Sequence, residues 1–556
     1  MTSLDKPPGD AGQVQDAAAL APTRWEQFEA ALSRLSDRLN PILVKEARQA
    51  LRSRQFTTTF LLMLAAGWAW SILGLALLGP AAYYNADGPA MFYVYYVILA
   101  APLLIVIPYF AFSSLSSERQ DRTYELVSIT VLNARHILTG KLCGIALQMM
   151  VYLSALFPCL AFTYLLRGLN IFLVFLVVAY TCLLSLGLAM LGLLLATLSP
   201  SRQRQVVQGV LFAVLLVYAF GFDVMTMSMV IAGEGVRVDD PGFWQLNLGL
   251  ATLYLNAFAL IFLSARALLT TACQNRATAL RVALVVAQLS MIAWTAWAVL
   301  EMDDDFLYGL IFASAVFWFF SGAMMVGEPQ LLSPRVKRGL PQSVLGRALL
   351  VGFAPGPGTG YMLALAGMIA VSAACTLMAT PAFYAVGATA GARVTSSVNR
   401  PFEVLEACVV ATSYVAIYLG LGKLILGVVA RLAEVGLALR ALVHVLLLLA
   451  GGGIPWVVQI TNPQTRDLGY TLWQTSNPVW TLWEFCTRST LPAPVASVLV
   501  IVLPTAALVV LGLNLPRLAA ELLQARIAKP ARVAEEDARL AAPVAAAPVR
   551  ASPWDD

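Results

Sequence analysis

A chain of 556 residues that is 59% hydrophobic and 12% charged, with a mean hydropathy of +0.76, lies outside the range of soluble domains, which carry roughly 45–50% apolar and 25% charged residues. Its net charge of +5 is spread over many short loops, with no basic patch or arm, so nucleic acid is not an expected partner. Seven cysteines stand in no Cys-x-x-Cys or Cys/His spacing; they read as small apolar packing residues, and no metal or cofactor is expected.

Residues 1–23, rich in Pro, Gly, Ala and Asp without periodicity, read as a disordered tail. Segment 24–56 reads as two amphipathic cytoplasmic or interfacial helices. In the first, Trp25, Phe28, Leu32, Leu35 and Leu39 recur at three- and four-residue steps. The second, Ile42–Phe56, opens after Asn40-Pro41 and carries Lys45, Arg48, Arg52 and Arg54, which suits a membrane surface and equally a solvated helix docked on the protein. The first apolar run begins near Thr57, too late and too long for a cleavable signal, so it is expected to persist as a span.

Twelve apolar stretches follow, near 57–79, 91–112, 142–166, 171–198, 206–232, 247–270, 279–300, 306–327, 361–380, 404–430, 438–459 and 495–515. Each is long enough to cross a hydrocarbon core of roughly 30 Å as a helix. Charge gives the orientation. With the N-terminus in the cytoplasm, 29 of the 36 Lys and Arg residues fall in inner segments and six in outer ones, Arg167, Arg237, Arg393, Arg400, Arg466 and Arg488; Lys423 lies inside a span. The expected fold is therefore all-α: a polytopic transmembrane helical bundle of about twelve spans, N-in and C-in, with an amphipathic interfacial helix at its N-terminus. The outer loop 460–494 holds Trp473, Trp480 and Trp483 among polar residues, which suits short re-entrant or surface helices. Segment 516–556 begins helical, turns Ala/Pro-rich, and reads as a largely disordered cytoplasmic tail.

The most informative stretch lies between the second and third spans, at 113–141. It reads Ser116-Ser117-Glu118-Arg119-Gln120-Asp121-Arg122-Thr123-Tyr124-Glu125-Leu126-Val127-Ser128-Ile129-Thr130 and continues through Ile137 to Gly140-Lys141. As a helix it sets Glu118, Arg122 and Glu125 along one side, at spacings that let opposite charges pair. It resembles the cytoplasmic coupling segment of ABC-2 type transporter permeases, Ser-x-Glu-Arg-Glu-x-Gly-Thr-Leu-Glu-x-Leu-Leu-x-Thr-Pro-x-Ser followed by Ile and Gly-Lys. Glu118, Arg119, Thr123, Glu125, Thr130, Ile137, Gly140 and Lys141 match in register, while Arg122 stands where the family has glycine and Val131 where it has proline. Asn40–Arg48 also looks like the family's approach helix before its first span.

The resemblance covers roughly residues 40–270. It implies an exporter permease in the bacterial cytoplasmic (inner) membrane, driven by a separate ATP-binding cassette ATPase subunit that grips Glu118, Arg119, Thr123 and Glu125. Membrane lipids are the other expected partner, and a homodimer is left open. The chain itself is not expected to be an enzyme: Gly140-Lys141 and Gly422-Lys423 lack both the upstream glycine and the following Ser/Thr of a phosphate-cradling loop.

Counted in sixes, the spans give a first permease unit, 57–270, and a second, 271–515, whose corresponding loop begins Gly327-Glu328-Pro329 and does not repeat the acidic motif. Of the ionisable residues inside spans, Asp223 is a candidate pathway residue and equally a hydrogen-bonded structural carboxylate. Lys423 and His444, near predicted inner ends, are expected to snorkel or cap. Two other readings remain open: an ion-coupled secondary transporter, which calls for paired helix breaks and midplane carboxylates in both halves, and a non-transporting scaffold whose charged loop recruits a partner.

Overall fold

The computed structural model describes residues 41–79, 87–121, 133–166, 168–198, 201–231, 239–271, 273–303, 305–328, 332–339, 343, 346, 351–389, 401–432, 435–466, 469–487, 493–523 and 530–541. They form helices, with no strand among them. Twelve helices are long and apolar enough to cross a membrane, one for each apolar stretch in the sequence, and the chain is a multi-pass membrane protein. It divides into two compact units, Met1–Val236 and Arg237–Asp556.

In the first unit a short helix, α1 (Pro41–Leu51), precedes five spans: α2 (Arg54–Leu78), α3 (Gly88–Gln120), α4 (Ala134–Leu165), α5 (Ile171–Leu198) and α6 (Arg202–Ile231). The expected single helix over Ile42–Phe56 is two, because Ser53 ends one and starts the next: its Oγ accepts from the Phe56 amide at 3.1 Å. On α1, Ile42, Glu46 and Ala50 are buried at four-residue steps while Lys45 and Arg48 face outward. The preceding 24–39 helix lies outside the described residues.

Helix α3 runs 33 residues, about 50 Å at 1.5 Å per residue, so residues 113–120 continue the second span instead of starting a new element. Pro102 and Pro108 interrupt its hydrogen bonding, and Pro102–Val106 adopts a π-helical turn. In lipid a freed carbonyl needs a partner; Ser185 of α5 supplies it, donating to the Leu103 carbonyl at 2.5 Å. Hydroxyl pairs bind the neighbouring spans, Thr59 with Tyr152 and Ser71 with Tyr95, both at 2.6 Å.

The second unit begins with α7 (Pro241–Leu269) and α8 (Thr278–Glu301). These pair through Trp294 Nε1 donating to Thr252 Oγ1 at 2.7 Å and Asn256 Nδ2 donating to Ser290 Oγ at 3.0 Å. The sixth span thus belongs with the seventh, and the units hold five and seven spans where counting in sixes divides the chain after residue 270. Then come α9 (Phe306–Val326), the short α10 (Pro334–Arg338), α11 (Pro357–Met378), α12 (Pro381–Thr389), α13 (Pro401–Val429), α14 (Leu437–Thr461), α15 (Pro478–Thr487), α16 (Ala493–Leu522) and α17 (Ala531–Ala541). The C-terminal segment is more helical than its composition suggests: α17 holds Arg532, Glu535 and Arg539 at spacings of three and four that favour a helix. The core of this unit is built from α9, α11 and α13 around the fully buried Trp318.

Between α14 and α16 the chain turns back into the bundle. Tyr414 and Tyr418, midway along α13, donate to the carbonyls of Thr475 and Ser476, and Ser476 Oγ donates to the Gly451 carbonyl of α14 at 3.1 Å. Gly451 is ten residues before the end of α14, about 15 Å down the helix, so the 3-10 turn Leu472–Ser476 and α15 form a re-entrant hairpin. Its polar atoms are matched: Gln459 Oε1 accepts from Gln474 Nε2 (2.8 Å) and Thr471 Oγ1 (3.0 Å), and the Tyr470 hydroxyl pairs with that of Thr481 at 2.7 Å.

The hairpin needs glycine on α14. A Cβ at Gly451 would fall 1.7 Å from the Tyr418 hydroxyl and 2.9 Å from the Ser476 carbonyl oxygen. Gly451→Ala is expected to lift the turn at a cost of roughly 1–3 kcal/mol. The readout is Cys486 on α15, whose thiol is half-buried. Faster alkylation of Cys486 in the variant is the expected result; an unchanged rate means the close approach does not hold the hairpin.

Candidate functional site

Four charged side chains meet where α1, the end of α3 and the start of α4 come together. Lys141 Nζ, 3% exposed, lies 2.8 Å from Glu46 Oε1 and 3.1 Å from Glu118 Oε2, and donates to Ser114 Oγ at 3.0 Å. Lys45 Nζ donates to Glu118 Oε1 at 2.8 Å. Burial works against the Lys45 charge, but the hydrogen bond and charge of Glu118, aided by Glu46, outweigh it and raise its pKa above the ordinary lysine value. Among the described residues two cations and two carboxylates meet here, the pairing that a mostly buried ionic cluster requires.

Arg119, the next residue, turns the other way. Its Nη1 donates to the Thr197 carbonyl and, at 3.3 Å, to that of Ala196, closing the C-terminal end of α5. Gln120 Nε2 donates to Gln205 Oε1 of α6 at 2.5 Å. The end of α3 is thus tied to α1, α4, α5 and α6. Of the four expected partner contacts, Glu118 and Arg119 carry these internal bonds, whereas Thr123 and Glu125 lie outside the described residues.

Asp223 of α6 is buried, and it accepts a hydrogen bond from Tyr96 of α3, whose hydroxyl also pairs with Thr181 of α5 at 2.8 Å. The carboxyl is held by the neutral Tyr96 hydroxyl, six residues before the π-helical break at Pro102. Tyr96→Phe removes the donor from a buried acceptor and should cost about 1–3 kcal/mol, read as a lower melting temperature in detergent. Wild-type stability in this variant would mean that Asp223 finds another partner.

The second unit has an ionic centre of its own, which the sequence did not single out. Arg281 of α8 is 1% exposed. It donates to Glu328 Oε2 (2.8 Å), to the carbonyls of Gly352 (2.9 Å), Ala354 and Gly356 (2.9 Å), and to Thr359 Oγ1 (2.9 Å). Glu328 also accepts from the Gly356 amide at 2.8 Å. The amides opening α11 receive a second carboxylate, Glu521 of α16, at 2.9 Å from Gly358 and 3.2 Å from Thr359, a favourable place for negative charge. The chain can approach so closely because Gly356 adopts φ +147° and because a Cβ on Gly358 would sit 2.9 Å from Glu521 Oε2. The only sequence signal was Gly356-Pro357-Gly358 itself, a turn signature opening a span.

Lys423 and His444 do not snorkel. Both point into the bundle, 3% and 1% exposed: Lys423 Nζ lies 5.8 Å from the centre of the Tyr361 ring, and His444 Nδ1 is 2.8 Å from the Arg440 carbonyl. Gly422 makes room for the imidazole, since a Cβ there would meet His444 Nε2 at 2.2 Å.

No family model matches the chain, and no curated protein or solved structure matches it.

Proposed function

We propose that the chain is the membrane-spanning subunit of an ATP-driven exporter of the ABC-2 type, working in a bacterial cytoplasmic membrane with a separate ATP-binding cassette ATPase. The resemblance of 116–141 supports this reading, and the bonding of Glu118 carries it. A partner that pulls on Thr123 and Glu125 acts on a segment fixed upstream at Glu118–Gln120 and downstream at Lys141. The same ion cluster holds α1 and α4, and Arg119 holds α5. Displacement of that one segment would therefore move the cytoplasmic ends of several spans together, which is what coupling a soluble ATPase to a membrane path demands. Glu118 and Arg119 act in this scheme as the joint behind the contact, and Thr123 and Glu125 as the contact.

The test is capture of an ATP-binding cassette ATPase from the same genome, co-expressed with the tagged chain. Glu125→Arg should abolish capture while leaving insertion and melting temperature unchanged. Capture unaffected by the substitution, or no capture by wild type, would turn the reading toward a scaffold or an ion-coupled transporter. The ion-coupled alternative is the weaker, because the helix break in α3 and the hairpin after α14 fall at non-corresponding places.

A further inference from the structure

In the second unit a cavity of about 630 Å³ opens beside the start of α8, lined among others by Cys273, Asn275, Thr278, Val282, Arg335 and Phe353. Its walls are fixed to one another. Ser333 Oγ donates to the Cys273 carbonyl at 2.8 Å, Thr278 Oγ1 to the Phe353 carbonyl at 2.7 Å, and Arg281 holds the carbonyls on either side of Phe353. Asn275 is occupied in capping α8, its Oδ1 accepting from the amides of Ala277 and Thr278. The cavity is thus a built feature of the fold, of a size suited to a small ligand.

Its chemistry is two-sided. Val282, Val336, Phe353 and Pro355 give an apolar floor, Arg335 stands exposed at the rim with Lys337 and Arg338 following on α10, and no acidic side chain lines it among the described residues. The floor continues along α8. Val282, Val286 and Leu289 are 45%, 52% and 57% exposed and, at steps of four and three, share one face of the helix. A ligand seated here meets a cation at the helix end and an apolar track running into the membrane-spanning part of the same helix.

We propose that this cavity binds the headgroup of an anionic phospholipid, with Arg335 at the phosphate and an acyl chain lying along Val282, Val286 and Leu289. A free phosphate shares the headgroup chemistry but has no use for the track. A zwitterionic lipid shares the track but gains less from a basic rim, since its headgroup carries no net negative charge for Arg335 to attract. The site is independent of how the chain is energised.

A native reporter already stands at the rim. The Cys273 thiol is exposed, and its hydrogen bond with Thr271 and then the nearby Arg335 charge lower its pKa. In nanodiscs of phosphatidylglycerol, Cys273 of the full chain should be alkylated by a neutral thiol reagent about fivefold more slowly, relative to its rate in detergent, than in nanodiscs of phosphatidylcholine. Native mass spectrometry of the detergent-purified chain should show a retained phosphatidylglycerol. Arg335→Gln and, separately, Val282→Glu should each remove both effects. Equal relative rates in the two lipids would overturn the proposal. So would protection by millimolar inorganic phosphate in phosphatidylcholine, or lipid retention unchanged in both variants.

Discussion

Arg281→Met is expected to destabilise the second unit by about 3–5 kcal/mol, the usual scale for removing one partner from a buried charge pair. The loss is larger than one salt bridge because the guanidinium satisfies Glu328, three carbonyls and the Thr359 hydroxyl together. Without it, Glu328 is left with the Gly356 amide alone among these partners, and the turn leading into α11 loses the group around which it is folded. Arg281→Lys should fall between, since a single ammonium keeps the charge but cannot reproduce the planar fork that reaches several acceptors at once. Melting of the three proteins in one detergent, followed by tryptophan fluorescence, checks the order wild type, lysine, methionine. A methionine variant as stable as wild type would mean that this centre contributes specificity and no stability.

The spans were legible because each concentrates about twenty apolar residues, and α5, read as 171–198, was found at Ile171–Leu198. Where an apolar run ended before its helix did, the reading stopped short. Hydropathy falls after Phe112, yet Ser113 to Gln120 contain no helix breaker and Leu115 and Ser116 are still buried, so α3 carries on. The re-entrant hairpin was half visible, in the tryptophans of 460–494; its depth depends on Gly451 and two tyrosines of another helix, which no local pattern displays. The direction in which a side chain leaves an all-round apolar helix was also unreadable. Lys423 and His444 were placed correctly along their helices and wrongly around them, because such helices have almost no polar face to orient them. Arg281 was hidden for a related reason. Its partners Glu328 and Gly356 lie 47 and 75 residues away, and in sequence it looked like one more basic residue at a cytoplasmic end.

Glu118 shows the same gap at the proposed coupling joint: its partners Lys45 and Lys141 come from α1 and α4, while Arg122, the partner that sequence spacing suggested, lies outside the described residues. Lys141→Met should therefore damage the first unit, and by a mechanism that a second substitution can expose. Alone, it leaves Glu46 and Glu118 sharing the exposed Lys45 among the described residues, at an expected cost of about 3–5 kcal/mol. Adding Glu46→Gln removes one of the two stranded charges, so the double variant should be more stable than Lys141→Met by about 1–3 kcal/mol, although it carries one change more. Simple loss of packing at Lys141 would instead make the two costs add. Recovery of stability without recovery of ATPase capture would separate the two roles of this corner: a balanced set of charges is enough to hold α1, α3 and α4 together, whereas transmitting a partner's movement also requires that Glu118 and Lys141 be bonded across the segment.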